Sequence, residues 1–325
     1  MVFVGEFGLI NLIRKKFKPL RKGVLGIGDD SAILYKDNSN LLITTDALVD
    51  GVHFLSRKID FIDLGYKSIA VNFSDIAAMG GYPLFVLLTI GISDKLSLNQ
   101  IENFLKGIEL IRKVYPFDII GGDTVRSDTF FISITAIGKA YKKPILRSGA
   151  KAGDRIYVSG KIGDSGIALD IVHNKLKFKV LDRGYFLRRH YKPEPRIKLI
   201  SYLLSKYVIN SCIDISDGLI ADLLHICEES KKGFNLKLDR LPVSLEKIKI
   251  DKNFSMEDFY EYAASCGEDY ELIFTSPSVI DCEDVFKKTG VLVSLVGEIT
   301  KSGYSVFYNS RRKDWKSLKK GFVHF

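Results

Sequence analysis

The chain has 325 residues, and 48 Lys and Arg against 39 Asp and Glu leave a formal surplus of nine positive charges. At about 150 residues per domain this length suggests two domains with their own cores, and 46% hydrophobic with 27% charged residues excludes a disordered or fibrous chain. No stretch approaches the ~18 uninterrupted apolar residues of a membrane helix, and the opening MVFVGEFGLINLIRKK places its charges after its apolar part, unlike a secretory leader, so a cytoplasmic protein without membrane contact is expected.

Strand-length apolar runs alternate with segments of helical period, a mixed α/β pattern. Residues 41–43 and 84–90 read as buried strands, and Ile101, Phe104, Leu105, Ile108, Ile111 and Tyr115 recur at helical spacing. A short buried strand at 117–120 precedes Gly121-Gly122, where either backbone N–H groups approach a phosphate while Asp123 meets a metal or the glycines form an ordinary turn, and the β-rich run 130–140 follows. Lys143-Pro144, Gly149 and Gly153 close the first half, which predicts domains at 1–149 and 150–325. The second half restarts with a strand at 155–159. Gly160, Gly163 and Gly166 then feed an apolar helix and lack the GxxxxGK[ST] spacing of a phosphate loop. A strand at 212–215 delivers Ser216-Asp217-Gly218 to a helix over 219–227, and strands are expected at 271–275 and 292–296.

The four cysteines include no CxxC pair, so a disulfide scaffold and a zinc ribbon are not expected. Basic runs such as Arg14-Lys15-Lys16 and Arg311-Arg312-Lys313 stand beside no nucleic-acid signature and read as solvated faces, so no nucleic-acid partner is expected.

Acidic residues repeatedly fall beside Gly, Ser or Thr where strands end or helices pack: Gly28-Asp29-Asp30, Thr44-Thr45-Asp46, Ser74-Asp75, Gly122-Asp123 and Asp214-Ile215-Ser216-Asp217. A single Ser-Asp or Thr-Asp is ordinarily a helix cap. Five such segments converging would repel one another unless cations were bound, and all-oxygen ligands suit Mg2+ and with it phosphate chemistry. Asp75 stands in an apolar helical segment, where it either ligates a cation or shares an exposed polar face with Asn72. Arg147 fits either a phosphate clamp or a surface charge, and His53 lacks any nucleophile pattern around it.

GIGDDSAIL (26–34), TTDALVDGVHF (44–54), NFSDIAAMGGYP (72–83), GGDTVR (121–126), RSGAKAGDRIYVSG (147–160), DISDGLIADL (214–223) and GEDYELIFT (267–275) occur in one order along the chain. In these segments the sequence resembles the thiamine-monophosphate kinase family of the aminoimidazole ribonucleotide synthetase-like superfamily. The resemblance implies a two-domain α/β (α+β) fold whose N-terminal sheet forms a dimeric barrel with a twin, beside a C-terminal α/β domain. It implies ATP-dependent phosphorylation of thiamine monophosphate to thiamine diphosphate, with Mg2+ as cofactor, in a homodimer. Carried over by position, Asp30, Thr44, Thr45, Asp46, Asp75, Asp123, Asp214 and Asp217 are implied metal ligands, and Gly121, Gly122, Arg147 and Ser216 nucleotide contacts. His53 and Glu268 are implied acceptor contacts, with Phe322 the implied stacking ring and Trp315 its alternative. No residue beyond the metal and phosphate ligands is implied as catalytic.

Overall fold

The computed structural model describes residues 6–16, 19, 22–36, 39–250, 252, 254–315 and 318. In chain order the first half comprises α1 (Glu6–Lys16), β1 (Val24–Leu25), β2 (Ala32–Lys36), β3 (Ser39–Val49), α2 (Phe61–Ala78), β4 (Gly81–Ile92), α3 (Leu98–Val114), β5 (Asp118–Arg126) and β6 (Phe131–Ala140). The second half continues with β7 (Arg155–Ser159), α4 (Asp164–His173), β8 (Lys179–Val180), α5 (Arg183–Tyr191), α6 (Ile197–Lys206), β9 (Ser211–Asp214), α7 (Leu219–Ser230) and β10 (Gly233–Lys237). It closes with β11 (Ile248–Lys249), α8 (Met256–Ser265), β12 (Leu272–Ser276), α9 (Cys282–Thr289), β13 (Val293–Thr300), β14 (Tyr304–Tyr308) and β15 (Arg311–Lys313).

The first sheet has the order β1-β2-β3-β6-β4-β5, with only the β4/β5 pair parallel. Strand β6 shows the period of a sheet covered on one side: Ile132, Ile134 and Ala136 are buried while Ser133 and Thr135 are half-buried. The covering element is α2. Asp60 caps its start by accepting from Ile62 N at 2.7 Å, and its apolar residues continue round most of its circumference because α2 lies between the sheet, α3 and the second half of the chain. Two glycines permit that packing. A Cβ on Gly65 would stand 1.9 Å from the Phe104 carbonyl oxygen and one on Gly107 2.0 Å from that of Ile62, so α2 and α3 cross with their backbones nearly touching.

The second sheet has the order β15-β14-β10-β13-β7-β12-β9. Strands β7 and β12 inside this sheet and β9 at its end are buried on both faces, so their apolar residues run consecutively (156–158, 272–274 and 212–213) rather than alternating. On one face Tyr157, Cys212, Leu272 and Phe274 join the core that contains α2. On the other, Ile156, Val158, Ile213 and Ile273 build a second core under α4, α7 and α8.

One expectation is corrected. The chain does not turn at Gly121-Gly122 after a short buried strand: β5 runs on to Arg126 and is exposed at every residue. It is the outer edge of its sheet and pairs with β4 alone, so neither face nor its free edge is covered. Gly122 is needed there for close approach, since a Cβ would lie 1.8 Å from the Leu88 carbonyl oxygen.

Candidate active site

Three elements meet at one group of carboxylates. Strand β3 turns Thr44 and Asp46 toward α2 and leaves Thr45 exposed on the other face. Thr44 Oγ1 donates to Asp75 Oδ2 at 2.5 Å, and Asp46 N donates to Asn72 Oδ1 at 3.1 Å. From the same helix, Ser74 Oγ donates to Asp214 Oδ2, also at 2.5 Å, where β9 ends. Asp30 comes from the loop before β2. Asp30, Asp75 and Asp214 each offer a carboxylate oxygen within 4.8 Å of the others.

Burial and mutual repulsion raise the carboxyls of this group. Burial lifts the Asp75 carboxyl well above its ordinary range, and the nearby charges of Asp46, Asp214 and Asp30 lift it further. Asp214 is pushed up to about 8, by burial first and then by Asp30. Asp46 reaches about 6 from the same two causes. Asp30 Oδ2 is buried with no hydrogen-bond partner among the described residues. An orphaned buried carboxylate oxygen among oxygen-only donors fits a hard divalent cation such as Mg2+.

Arg147 borders the group from a 3-10 turn at Arg147–Gly149. Its Nη2 pairs with Asp30 Oδ1, its backbone N donates to Asp29 Oδ1 at 2.6 Å, and its carbonyl accepts from Ser230 Oγ at 2.8 Å. Burial dominates at Asp30, whose carboxyl stays raised despite the arginine. The Arg147 Nε is buried and unpartnered among the described residues, a donor left over for an anion.

Beyond β9 the chain enters α7 through a turn closed by Asp222, whose Oδ2 accepts from the backbone N of Ser216, Asp217 and Gly218 at 3.1, 3.2 and 3.1 Å. Asp217, Asp222 and His225 form a second group with ligand atoms within 4.8 Å of one another. The neighbouring turn before β12 distributes its three acids to separate tasks. Asp269 caps α4 through Gly163 N and Ser165 N at 2.6 and 3.0 Å. Glu271 accepts from Ser159 Oγ, Arg189 Nη2 and Arg196 Nε at 2.5, 2.6 and 2.6 Å. Glu268 accepts from Lys67 Nζ at 2.7 Å. Burial acts to raise Glu268, but Lys67, His190 and His53 outweigh it and bring the carboxyl down to about 2. His53 itself closes the turn after β3, its Nδ1 accepting from Val49 N at 3.1 Å.

The structure thus brings together Asp30, Thr44, Asp46, Asp75, Asp214 and Arg147, with Ser216 and Asp217 on the adjoining turn. It does not bring in Asp123: this exposed residue aligns with Thr89, and Thr89 with Ser133, on the open side of the sheet that also bears Thr45. Gly121 and Gly122 precede it on the same edge. Phe322 lies outside the described residues, and Trp315 packs edge-on against Tyr304 with ring centroids 5.0 Å apart, at the second core. Sequence reasoning missed Lys67 and His190, took Ser74 only as the neighbour of Asp75, and left open an exposed polar face with Asn72, which the structure closes because Asn72 is fully buried. Asp29 and Asp222 were missed as supports. Polar residues inside an otherwise apolar helix were the available signal for Asn72 and Ser74.

His190 fixes the sign of one pH effect. Burial, then Lys67, hold its ring down to about 3, so the unfolded chain takes up a proton near pH 6.5 that the folded chain refuses. Stability from this group is therefore lost as pH falls from 6.5 toward 3. Between pH 6 and 4 the unaltered chain should lose about 1.4 kcal/mol per pH unit relative to His190→Gln in denaturant titrations. Parallel stability curves would contradict this.

Family comparison gives the class first. The AIR synthase related protein N-terminal domain matches residues 28–140 and the corresponding C-terminal domain matches residues 151–309, which makes this a two-domain AIR-synthase-related protein. Thiamine-monophosphate kinase of Buchnera aphidicola subsp. Acyrthosiphon pisum is 38% identical over 97% of this chain and 98% of its own. That of Bacillus subtilis is 33% identical over 99% and 100%, and that of Escherichia coli K12 is 41% identical over 85% and 83%. Among solved structures, AaThiL complexed with AMPPCP and TMP superposes with a TM-score of 0.82 at 32% identity, covering 99% of this chain and 97% of that one. The chain belongs to the thiamine-monophosphate kinase family.

Proposed function

We propose that this chain transfers the γ-phosphoryl group of ATP to the phosphate of thiamine monophosphate, releasing thiamine diphosphate and ADP. The observation that carries the reading is the set Asp30, Asp75 and Asp214, within 4.8 Å of one another and with the buried Asp30 Oδ2 left without a partner among the described residues, in a chain that shares its family with thiamine-monophosphate kinases. These three, with Thr44, Asp46 and Asp217, are the residues proposed to hold Mg2+; Thr45 and Asp123, which the resemblance also implies, lie on the open side of the sheet, away from them. When bound, the cation neutralises phosphate oxygens and lets two polyanions approach. Arg147, with Gly121, Gly122 and Ser216, is proposed to receive the nucleotide, the unpartnered Nε supplying a donor to a phosphate oxygen. His53, Glu268 and Phe322 are proposed to receive the acceptor. Thiamine carries a cationic ring, and an ionised Glu268 attracts it. The acceptor phosphate has a second pKa near ~6 and is largely deprotonated at neutral pH, so no side chain has to act as a strong base. Positioning and charge are what these residues supply.

Two features support the proposed homodimer: β5 has an unpaired edge, and Ile119 and Ile120 on it are 44% and 54% exposed. The proposed division at 149/150 falls between β6 and β7. No helix among the described residues is long and apolar enough to cross a membrane, and all four cysteines are free thiols, which supports a cytoplasmic setting.

Free thiamine is the discriminating competitor, because its alcohol would need a base this site does not supply. At equal concentrations thiamine monophosphate should be phosphorylated at least about a hundredfold faster. Comparable rates would overturn the acceptor assignment.

A further inference from the structure

Lys67 sits midway along α2 with its side chain 1% exposed, in a helix whose other buried residues are mostly apolar. An ammonium so placed needs partners, and it has two: Glu268 Oε2 at 2.7 Å and His190 Nε2 at 3.2 Å. An ammonium can only donate, so His190 Nε2 is the acceptor. The ring proton then sits on Nδ1, which donates to Ser165 Oγ at 2.7 Å. Polar contacts therefore link Ser165, His190, Lys67 and Glu268, with His190 Nδ1 also 3.5 Å from Glu268 Oε2, and join α4, α5 and α2 to the turn before β12.

That turn is held in an unusual shape. Glu268 and Tyr270 adopt φ of +62° and +51°, values uncommon for residues with side chains. Glu268 N and Tyr270 N are tied back to the carbonyls of Ser216 and Ile215 at 2.7 and 2.9 Å. The backbone thus presents Glu268 at one place, and Lys67 takes one of its two carboxylate oxygens, while the side chain keeps 24% of its surface exposed. The same helix carries Asn72, Ser74 and Asp75. Asp75 lies eight residues on from Lys67, about 12 Å along a helix rising ~1.5 Å per residue.

We infer that Lys67, seated by His190, is a positioning residue for the acceptor: it binds one oxygen of Glu268, turns the other toward the acceptor's cationic portion, and sets that carboxylate at a fixed distance from the carboxylate group on the same helix. This rests on the proposed acceptor role of Glu268. Lys67 touches no reacting atom. It belongs to the first half of the chain and Glu268 to the second, so the contact also fixes how the two halves meet around the substrates.

The test is a double-mutant cycle of Lys67→Met and Glu268→Gln in the full chain, with apparent KM measured separately for thiamine monophosphate and ATP, and melting curves as the fold control. Lys67→Met should raise the KM for thiamine monophosphate about tenfold, change that for ATP less than about twofold, and add less than about twofold when Glu268→Gln is already present. If Lys67→Met fails to fold, His190→Phe replaces it in the cycle. It removes the acceptor that seats the ammonium, together with the 3.5 Å approach of His190 Nδ1 to Glu268 Oε2, while leaving the Lys67–Glu268 pair, and should give a selective rise of about threefold. Equal effects on both substrates, or full additivity with Glu268→Gln, would make Lys67 a merely structural residue and overturn the proposal. A selective Lys67 effect with a neutral Glu268→Gln would also overturn it, leaving the phosphoryl-transfer reading intact. Absence of turnover with thiamine monophosphate in the unaltered chain would remove that reading and the proposal together.

Discussion

Asp75→Asn lowers turnover by at least about a thousandfold, and in the absence of Mg2+ it makes the protein more resistant to heat. The two effects have one origin. Asp75 lies within 4.8 Å of Asp30 and Asp214, oxygen to oxygen, a spacing at which two ionised carboxylates in a partly shielded interior repel by roughly 3 kcal/mol. The asparagine keeps the volume and the acceptor for Thr44 Oγ1 and does not have to take up the proton that folding without a cation imposes on Asp75 at neutral pH, so the metal-free fold is relieved. The same deletion removes a hard ligand. A cation that binds only the folded chain raises its melting temperature, and this rise, large in the unaltered chain, should nearly vanish in the variant. Melting curves with and without Mg2+, beside turnover at limiting Mg2+, check both halves. Near-normal activity, or a variant that melts earlier than the unaltered chain without Mg2+, contradicts the assignment.

Arg147→Ala reduces kcat/KM for ATP about a hundredfold or more and destabilises the protein, the opposite stability sign from its neighbour. Here the loss leaves Asp30 buried without its ion-pair partner, and the turn that joins β6 to β7 loses a side-chain anchor. Breaking a buried pair by removing one member typically costs about 3–5 kcal/mol. Because Asp30 belongs to the carboxylate group, the remaining charge also adds to the repulsion that Asp75→Asn relieves. The KM for thiamine monophosphate should change little. Steady-state kinetics in each substrate and denaturant titration of both variants check the contrast, and a stabilised Arg147→Ala would overturn it.

Much of this arrangement was legible before the fold was known, for identifiable reasons. Strands β7, β9 and β12 announced themselves because both faces are buried, and Asp75 stood out because a carboxylate inside an apolar helical run needs an explanation. An exposed polar face shared with Asn72, one turn earlier, stayed open as the alternative because a polar pair on a helix ordinarily faces water, whereas α2 has little surface left for water. Lys67 was illegible for the same reason: a lone lysine in a helix reads as solvated until its partner, 201 residues away, is brought against it. Asp123 looked like the other Gly-Asp and Ser-Asp acids, but strand register decides which side of the sheet it joins, and β5 is an exposed edge. No pattern in the sequence marks the positive φ of Glu268, since the residue types there are ordinary and closure of the turn onto Ser216 is what imposes it.

The central claim is most directly tested by product identity. Purified protein incubated with ATP, Mg2+ and thiamine monophosphate, with products resolved by mass, should form thiamine diphosphate and ADP in equal amounts and nothing when Mg2+ is withheld by a chelator. ADP and inorganic phosphate without thiamine diphosphate, or no consumption of thiamine monophosphate at all, would contradict it.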